Sequence, residues 1–225
     1  MKPSNAALPA LKRVKAPITK PTYGREPLLW LEDKDVITRN RYGAEVLNST
    51  SCIFVDIDEP VFRLWQIFRR IRSREQKKQA ILEFVERRLK KPDLNGFGIR
   101  VYETHSGIRL ILEGKAMDPR SKESKSLLRS FNADRLYATL CRKQNCYRAR
   151  LTPKPHRIKM KPIRLPYPYE EADKTRIGEW IREYDSKSQG FSTCRLVQTM
   201  RSHFLSPVVR YHDERTRAQS SLPLA

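Results

Sequence analysis

Residues 98–114, GIRVYETHSGIRLILEG, carry two β-branched runs, IRVYET and IRLILEG, on either side of the three-residue loop HSG. Runs of this kind around a short loop containing glycine predict an antiparallel hairpin. Upstream, CIFVDID at 52–58 is β-branched and aromatic in its first half and is closed by Glu59-Pro60, which predicts a buried strand running into a break. Val61, Leu64, Trp65, Phe68 and Ile71 then fall at helical spacing, and Ile81, Phe84, Val85 and Leu89 continue it until Lys91-Pro92 stops it. Residues 122–143 read as helix with an interruption near Asn132, and the short alternating YRARL at 147–151 reads as a further strand.

The resulting order is strand, helix, strand, strand, helix, strand. It predicts an α+β fold built on a split βαβ sheet of the ferredoxin-like or RNA-recognition-motif-like kind, with helices packed on it. Residues 1–26 mix prolines with lysines and arginines without periodicity and predict a mobile basic arm; the core spans residues 27–165. Residues 166–225 read as a proline-rich linker and a C-terminal helical extension, with a helix around Ile177–Tyr184 and an ambiguous final stretch.

Composition narrows the partners. The chain has 225 residues with 46 Lys plus Arg against 25 Asp plus Glu, a formal net charge of +21. A surplus of this size repels itself in the folded state and is relieved by a polyanion, so nucleic acid, single-stranded DNA or RNA, is the expected partner. No apolar run reaches the ~18 residues of a membrane span, and no basic amphipathic helix with a bulky free apolar face stands out, so a membrane partner is not expected and a cytoplasmic location is. The four cysteines are too few for a disulfide framework and read as reduced thiols.

Asp56 and Asp58 are the sharpest candidates for chemistry. Two positions apart on a strand, they point the same way with Cα atoms ~6–7 Å apart, close enough to share a divalent cation. Paired carboxylates on an otherwise apolar strand repel each other, and Mg²⁺ or Mn²⁺ is the natural neutraliser, as in metal-assisted phosphoryl transfer. That repulsion also predicts that replacing both with Asn leaves the metal-free protein at least as stable. The alternative is that they end the strand, with Asp58 opening the next helix as a cap. His105, Ser106, Gly107 and Arg109, on and beside the hairpin loop, offer an imidazole, a hydroxyl, a close-approach backbone and a guanidinium to a nucleoside triphosphate. From Arg142 to Arg164 nine basic residues occur with no acid among them. Arg148, Arg150, Lys154, Arg157 and Lys159 are the expected nucleic-acid contacts in this track, with Tyr147 as a stacking face. Cys141, Cys146 and His156 lack the second close pair that a structural zinc site needs.

Taken together, CIFVDID, the helices after it, ETHSGIRLIL and CYRARLTPKPHR resemble divergent bacterial members of the archaeo-eukaryotic primase superfamily over about residues 40–165. The resemblance implies a metal-dependent nucleotidyltransferase that polymerises nucleotides on a template. Asp56 and Asp58 match the family's paired acids, and Ser106 and Gly107, with neighbouring His105 or Arg109, lie at its nucleotide-binding motif. The chain departs from that pattern twice. Ile108 stands where the family's histidine follows its serine, and YRARL carries arginines where a third acid is expected, leaving Asp118 and Asp134 as substitutes. A non-catalytic nucleic-acid-binding module or replication initiator is the alternative, and a metal-dependent nuclease a third.

Overall fold

The computed structural model describes residues 12–13, 26–31, 35–58, 73–164, 167–201 and 205–225. Within them the chain is α+β, with two antiparallel sheets. The first holds β1 (Lys12–Arg13), β2 (Glu26–Leu31), β3 (Asp35–Arg39), β4 (Glu45–Ser49) and β8 (Tyr147–Arg150), hydrogen-bonded in that order. The second holds β5 (Ile53–Asp58), β7 (Gly107–Glu113), β6 (Gly98–Thr104) and β9 (Cys194–Met200). The helices are α1 (Arg74–Leu89), α2 (Lys122–Ser130), α3 (Arg135–Gln144), α4 (Lys174–Ser188) and α5 (Pro207–Thr216).

The hairpin forms, with Gly98 opposite Glu113 and Thr104 opposite Gly107, but Gly107 belongs to β7, so the loop is the two residues His105 and Ser106 and not the three expected. β7 is one of the two inner strands of its sheet and is buried along its whole length. On one face Ile108, Leu110 and Leu112 join Ile53, Val55, Ile57, Ile99 and Val101 in the core. Ile81, Val85 and Leu89 of α1 belong to the same core, and Ser73 starts that helix with a capping box shared with Gln76. The other face carries Asp56, Arg100, Tyr102 and Arg109, and α5 lies against it, with the buried His212 ring 5.0 Å from that of Tyr102. Gly107 permits the close pairing with β5, since a Cβ there would lie 2.0 Å from the carbonyl oxygen of Ile57.

The expected strand YRARL exists but joins the other sheet, pairing antiparallel with β4 in the register Val46 to Arg150. The second sheet gains its fourth strand from β9, on the far side of β6, in the stretch that the sequence leaves ambiguous. Strand order therefore departs from the split βαβ expectation, while the β5–β7–β6 portion follows it. β2, β3 and β4 are strands that the sequence reading did not assign. Their polar residues are matched: Arg39 pairs with Glu26 at 3.1 Å, Asn48 donates to Thr38 Oγ1 at 3.0 Å, and Arg215 of α5 forks onto Glu45 at 2.6 and 2.7 Å. Lys12 and Arg13 of the expected arm pair with Trp30 and Leu29. The rest of that arm before Glu26, and the helix start from Val61 to Ile71, lie outside the described residues. No helix among the described residues is long and apolar enough to cross a membrane.

Candidate metal and nucleic-acid site

Asp56 and Asp58 sit at the end of β5, opposite Arg109 and Gly107 of β7, on the same face of the sheet. β5 is an edge strand, and its free side is closed by the start of α3. Tyr137 donates its hydroxyl to the Phe54 carbonyl at 2.6 Å, and the Asp134 amide donates to the Asp56 carbonyl at 3.2 Å. The Asp134 carboxylate caps α3 by accepting from the Tyr137 amide at 2.6 Å.

Arg109 lies beneath the pair. Its side chain is 2% exposed, and it donates Nε to Asp56 Oδ1 at 2.7 Å and Nη2 to Asp56 Oδ2 at 3.1 Å. Nη1 donates to the Arg150 carbonyl at 2.9 Å, which ties β8 of the first sheet to the centre of the second. Burial works against the guanidinium charge, and Asp56 more than compensates, holding Arg109 above its ordinary value. Arg109 is thus the counter-ion of Asp56, not a phosphate ligand exposed beside the hairpin. Behind it His212 Nε2 lies 3.5 Å from Nη1, and His212 Nδ1 lies 3.0 Å from Asp213, which also accepts from Tyr102 at 2.6 Å and Arg100 at 3.1 Å. Burial keeps His212 below its ordinary pKa and neutral, so Nδ1 donates to Asp213 and Nε2 is the acceptor facing Arg109.

Asp58 reaches solvent at the strand end, yet desolvation and the charge of Asp56 push its carboxyl above the usual carboxylate range. Lys154 and Arg150 pull the other way, and Asp134 adds to the push. Lys154 is itself lowered by burial and by Arg150 and Arg157, with Asp58 and Asp56 pulling it back up. Burial, Arg109 and Arg157 bring Arg150 down to about 10, and its Nε is buried without a hydrogen-bond partner. Arg150 and Lys154 therefore stand close enough to Asp58 to act on its charge, and Arg157 close enough to those two cations to lower both. Arg157 reaches the hairpin loop as well, donating to Ser106 Oγ at 2.8 Å.

The structure thus brings Asp56, Asp58, Arg150, Lys154, Arg157 and Ser106 together. Others stand apart. His105 Nδ1 contacts the Leu224 carbonyl at 3.0 Å, and Lys159 is exposed farther along. Arg148 is lowered by burial in surroundings that include Cys146, Cys141 and Tyr137, and its Nε too is buried without a partner. Tyr147 is fully buried, with its hydroxyl on Ser124 at 2.8 Å, so it offers no stacking face. Asp118 accepts from the Arg120 amide in its own turn.

Two residues were missed by sequence reasoning. His212 and Asp213 back the Arg109 fork from α5, and no local pattern marks two polar side chains as buried.

A divalent cation fits the acid pair in part. Each Asp56 oxygen accepts one bond from Arg109 and keeps a second lone pair, and the upward push on Asp58 marks a carboxylate pair that extra positive charge would relieve. Among the described residues no three His, Cys, Asp or Glu side chains converge, so a cation held here would complete its shell with water and phosphate oxygens, as Mg²⁺ commonly does. No protein-family model, no curated protein and no solved structure matches this chain.

Proposed function

We propose that this chain is a metal-dependent, primase-like nucleotidyltransferase acting on nucleic acid in replication, repair or a mobile element, in the cytoplasm. One observation carries the reading: two carboxylates at a strand end lie within reach of the charges of Lys154 and Arg150, and Arg157 bonds to Ser106 beside Gly107, the cross-strand partner of Asp58, so a place for a cation adjoins a place for a polyphosphate. Asp58, with Asp56 beside it, would hold the cation, which when bound would polarise the α-phosphate and neutralise the leaving group. Lys154 and Arg157 draw the triphosphate toward the aspartates, and Ser106 fixes Arg157 at the hairpin loop. The 3′ oxygen of a strand bonds to the α-phosphorus, the bond to the bridging oxygen breaks, pyrophosphate leaves, and the hydroxyl proton passes to water.

A second reading has its own support. The Arg109 fork already neutralises Asp56, which favours a site that binds nucleic acid without catalysis. Incorporation of labelled nucleotide on a single-stranded template with Mn²⁺ separates the two. Incorporation by the wild type and its loss in Asp58→Asn supports the transferase; tight template binding without incorporation at any metal concentration leaves the binding module.

A further inference from the structure

Tyr42 is one of three large hydrophobic side chains exposed among the described residues, at 41%. It sits at the tip of the β3–β4 turn, Asn40-Arg41-Tyr42-Gly43. The turn is rigidly built. Asn40 Oδ1 accepts from the amides of Tyr42 at 2.9 Å and Ala44 at 3.1 Å, and Gly43 sits at φ +96 against the Trp180 ring, where a Cβ would lie 2.0 Å from the indole. The Arg41 guanidinium lies 4.8 Å from the ring centroid and donates to the Tyr42 hydroxyl at 2.6 Å, so ring and cation form one unit.

That unit is joined to the basic track. The Arg164 amide donates to the Arg41 carbonyl at 2.9 Å, and Trp180 Nε1 donates to the Lys161 carbonyl at 2.8 Å, which fixes the 161–164 backbone beside the turn. Lys159, Lys161 and Arg164 are all exposed, and no acid occurs between Arg142 and Arg164. At the other end Arg157 meets Ser106, next to Gly107, the cross-strand partner of Asp58.

We propose that Tyr42 with Arg41, and the cations Lys159, Lys161 and Arg164, form a path for single-stranded nucleic acid that leads to the acid pair. Tyr42 stacks one base while the cations follow the phosphates. A single strand fits because its base faces are free to stack, whereas a duplex hides them and an acidic peptide has none. The inference rests on the nucleic-acid part of the proposed function and holds with or without catalysis.

Fluorescence anisotropy of labelled oligothymidylate on the full chain tests it. Tyr42→Ala should weaken binding about tenfold, within the range for loss of one stacked base. Tyr42→Phe should stay within about twofold, because the ring is kept. The Lys159→Ala, Lys161→Ala, Arg164→Ala triple variant should flatten the log affinity against log salt slope by about 2, the value for three single-strand phosphate contacts. Tyr42→Ala should leave that slope unchanged. Wild-type affinity for both Tyr42 variants and the triple variant overturns the path, and so does equal binding of a duplex or polyglutamate that ignores Tyr42→Ala. Nucleotide incorporation, measured separately, decides the catalytic reading, so its failure leaves a path supported by these binding results standing.

Discussion

Arg109 grips both carboxylate oxygens of Asp56 from within the sheet, at 2.7 and 3.1 Å, on the strand facing it. The sequence makes Asp56 and Asp58 look equivalent, and this pairing makes them opposites.

The first prediction concerns Asp56. Replacing it with Asn strands a buried guanidinium, a change that costs about 3–5 kcal/mol for a fully buried pair. Asp56 is 29% exposed, so the expected loss is about 2 kcal/mol, read as a lower urea midpoint. Substituting Leu at both 56 and 109 should recover much of it, since no charge is then left unpaired. This predicts that Asn at both aspartates costs stability through position 56, against the expectation from their mutual repulsion alone.

Asp58 should behave in the other sense. Its carboxyl is raised in the folded state, by desolvation and then by Asp56. The stabilising, protonated form is fully present below the ordinary carboxylate value of about 4 and is lost as pH rises through the raised folded value. Asn mimics that form. Asp58→Asn should raise the melting temperature at pH 7 and lose this advantage at pH 3.5. Mn²⁺ should stabilise the wild type, through binding to the folded state alone, and not this variant.

Arg157 lowers the proton affinity of Arg150, and Arg150 and Arg157 lower that of Lys154. A polyanion relieves this, so inorganic tripolyphosphate should raise the melting temperature of the wild type by several degrees, as a ligand at many times its Kd does. The Lys154→Ala, Arg157→Ala double variant should show less than half that gain. An equal gain in both would place the polyphosphate elsewhere.

The thiols offer a check on packing. Burial raises Cys52 and Cys141 to about 12 and Cys194 to about 11, so all three are protonated at pH 8, whereas Cys146 is only half-buried. One equivalent of a maleimide should react rapidly in the native protein, and peptide mapping should find it on Cys146. Rapid labelling of Cys194 would contradict the seating of α5 on the second sheet.

What could be read in the sequence was local. The hairpin and β5 follow from alternation and turn chemistry, and the shared face of Asp56 and Asp58 follows from the strand period. Partner choice was not legible. YRAR alternates buried and half-buried residues in either sheet, and nothing in four residues says which edge it joins. β3 and β4 went unassigned because Arg39, Glu45 and Asn48 find their partners in other segments, from Glu26 to Arg215. Tyr147 reads as a stacking ring because its burial depends on Ser124, a helix away. Once β5 is known to pair with β7, the contact of Arg109 with Asp56 follows from register alone, which is the signal that sequence reading left unused.

The strand order also bears on synthesis. β4 ends at residue 49 and waits for β8 to begin at residue 147, while β6 ends at residue 104 and waits for β9 to begin at residue 194. A ribosome adding roughly 5–20 residues per second takes about 5–20 seconds to deliver each missing strand. Throughout that interval the growing chain presents an unfilled β edge in each sheet in turn, and a molecule this basic does so next to ribosomal RNA. Pausing or truncation between residues 150 and 190 would leave the first sheet complete and the second open along β6, and that species is the one expected to aggregate or to engage chaperones.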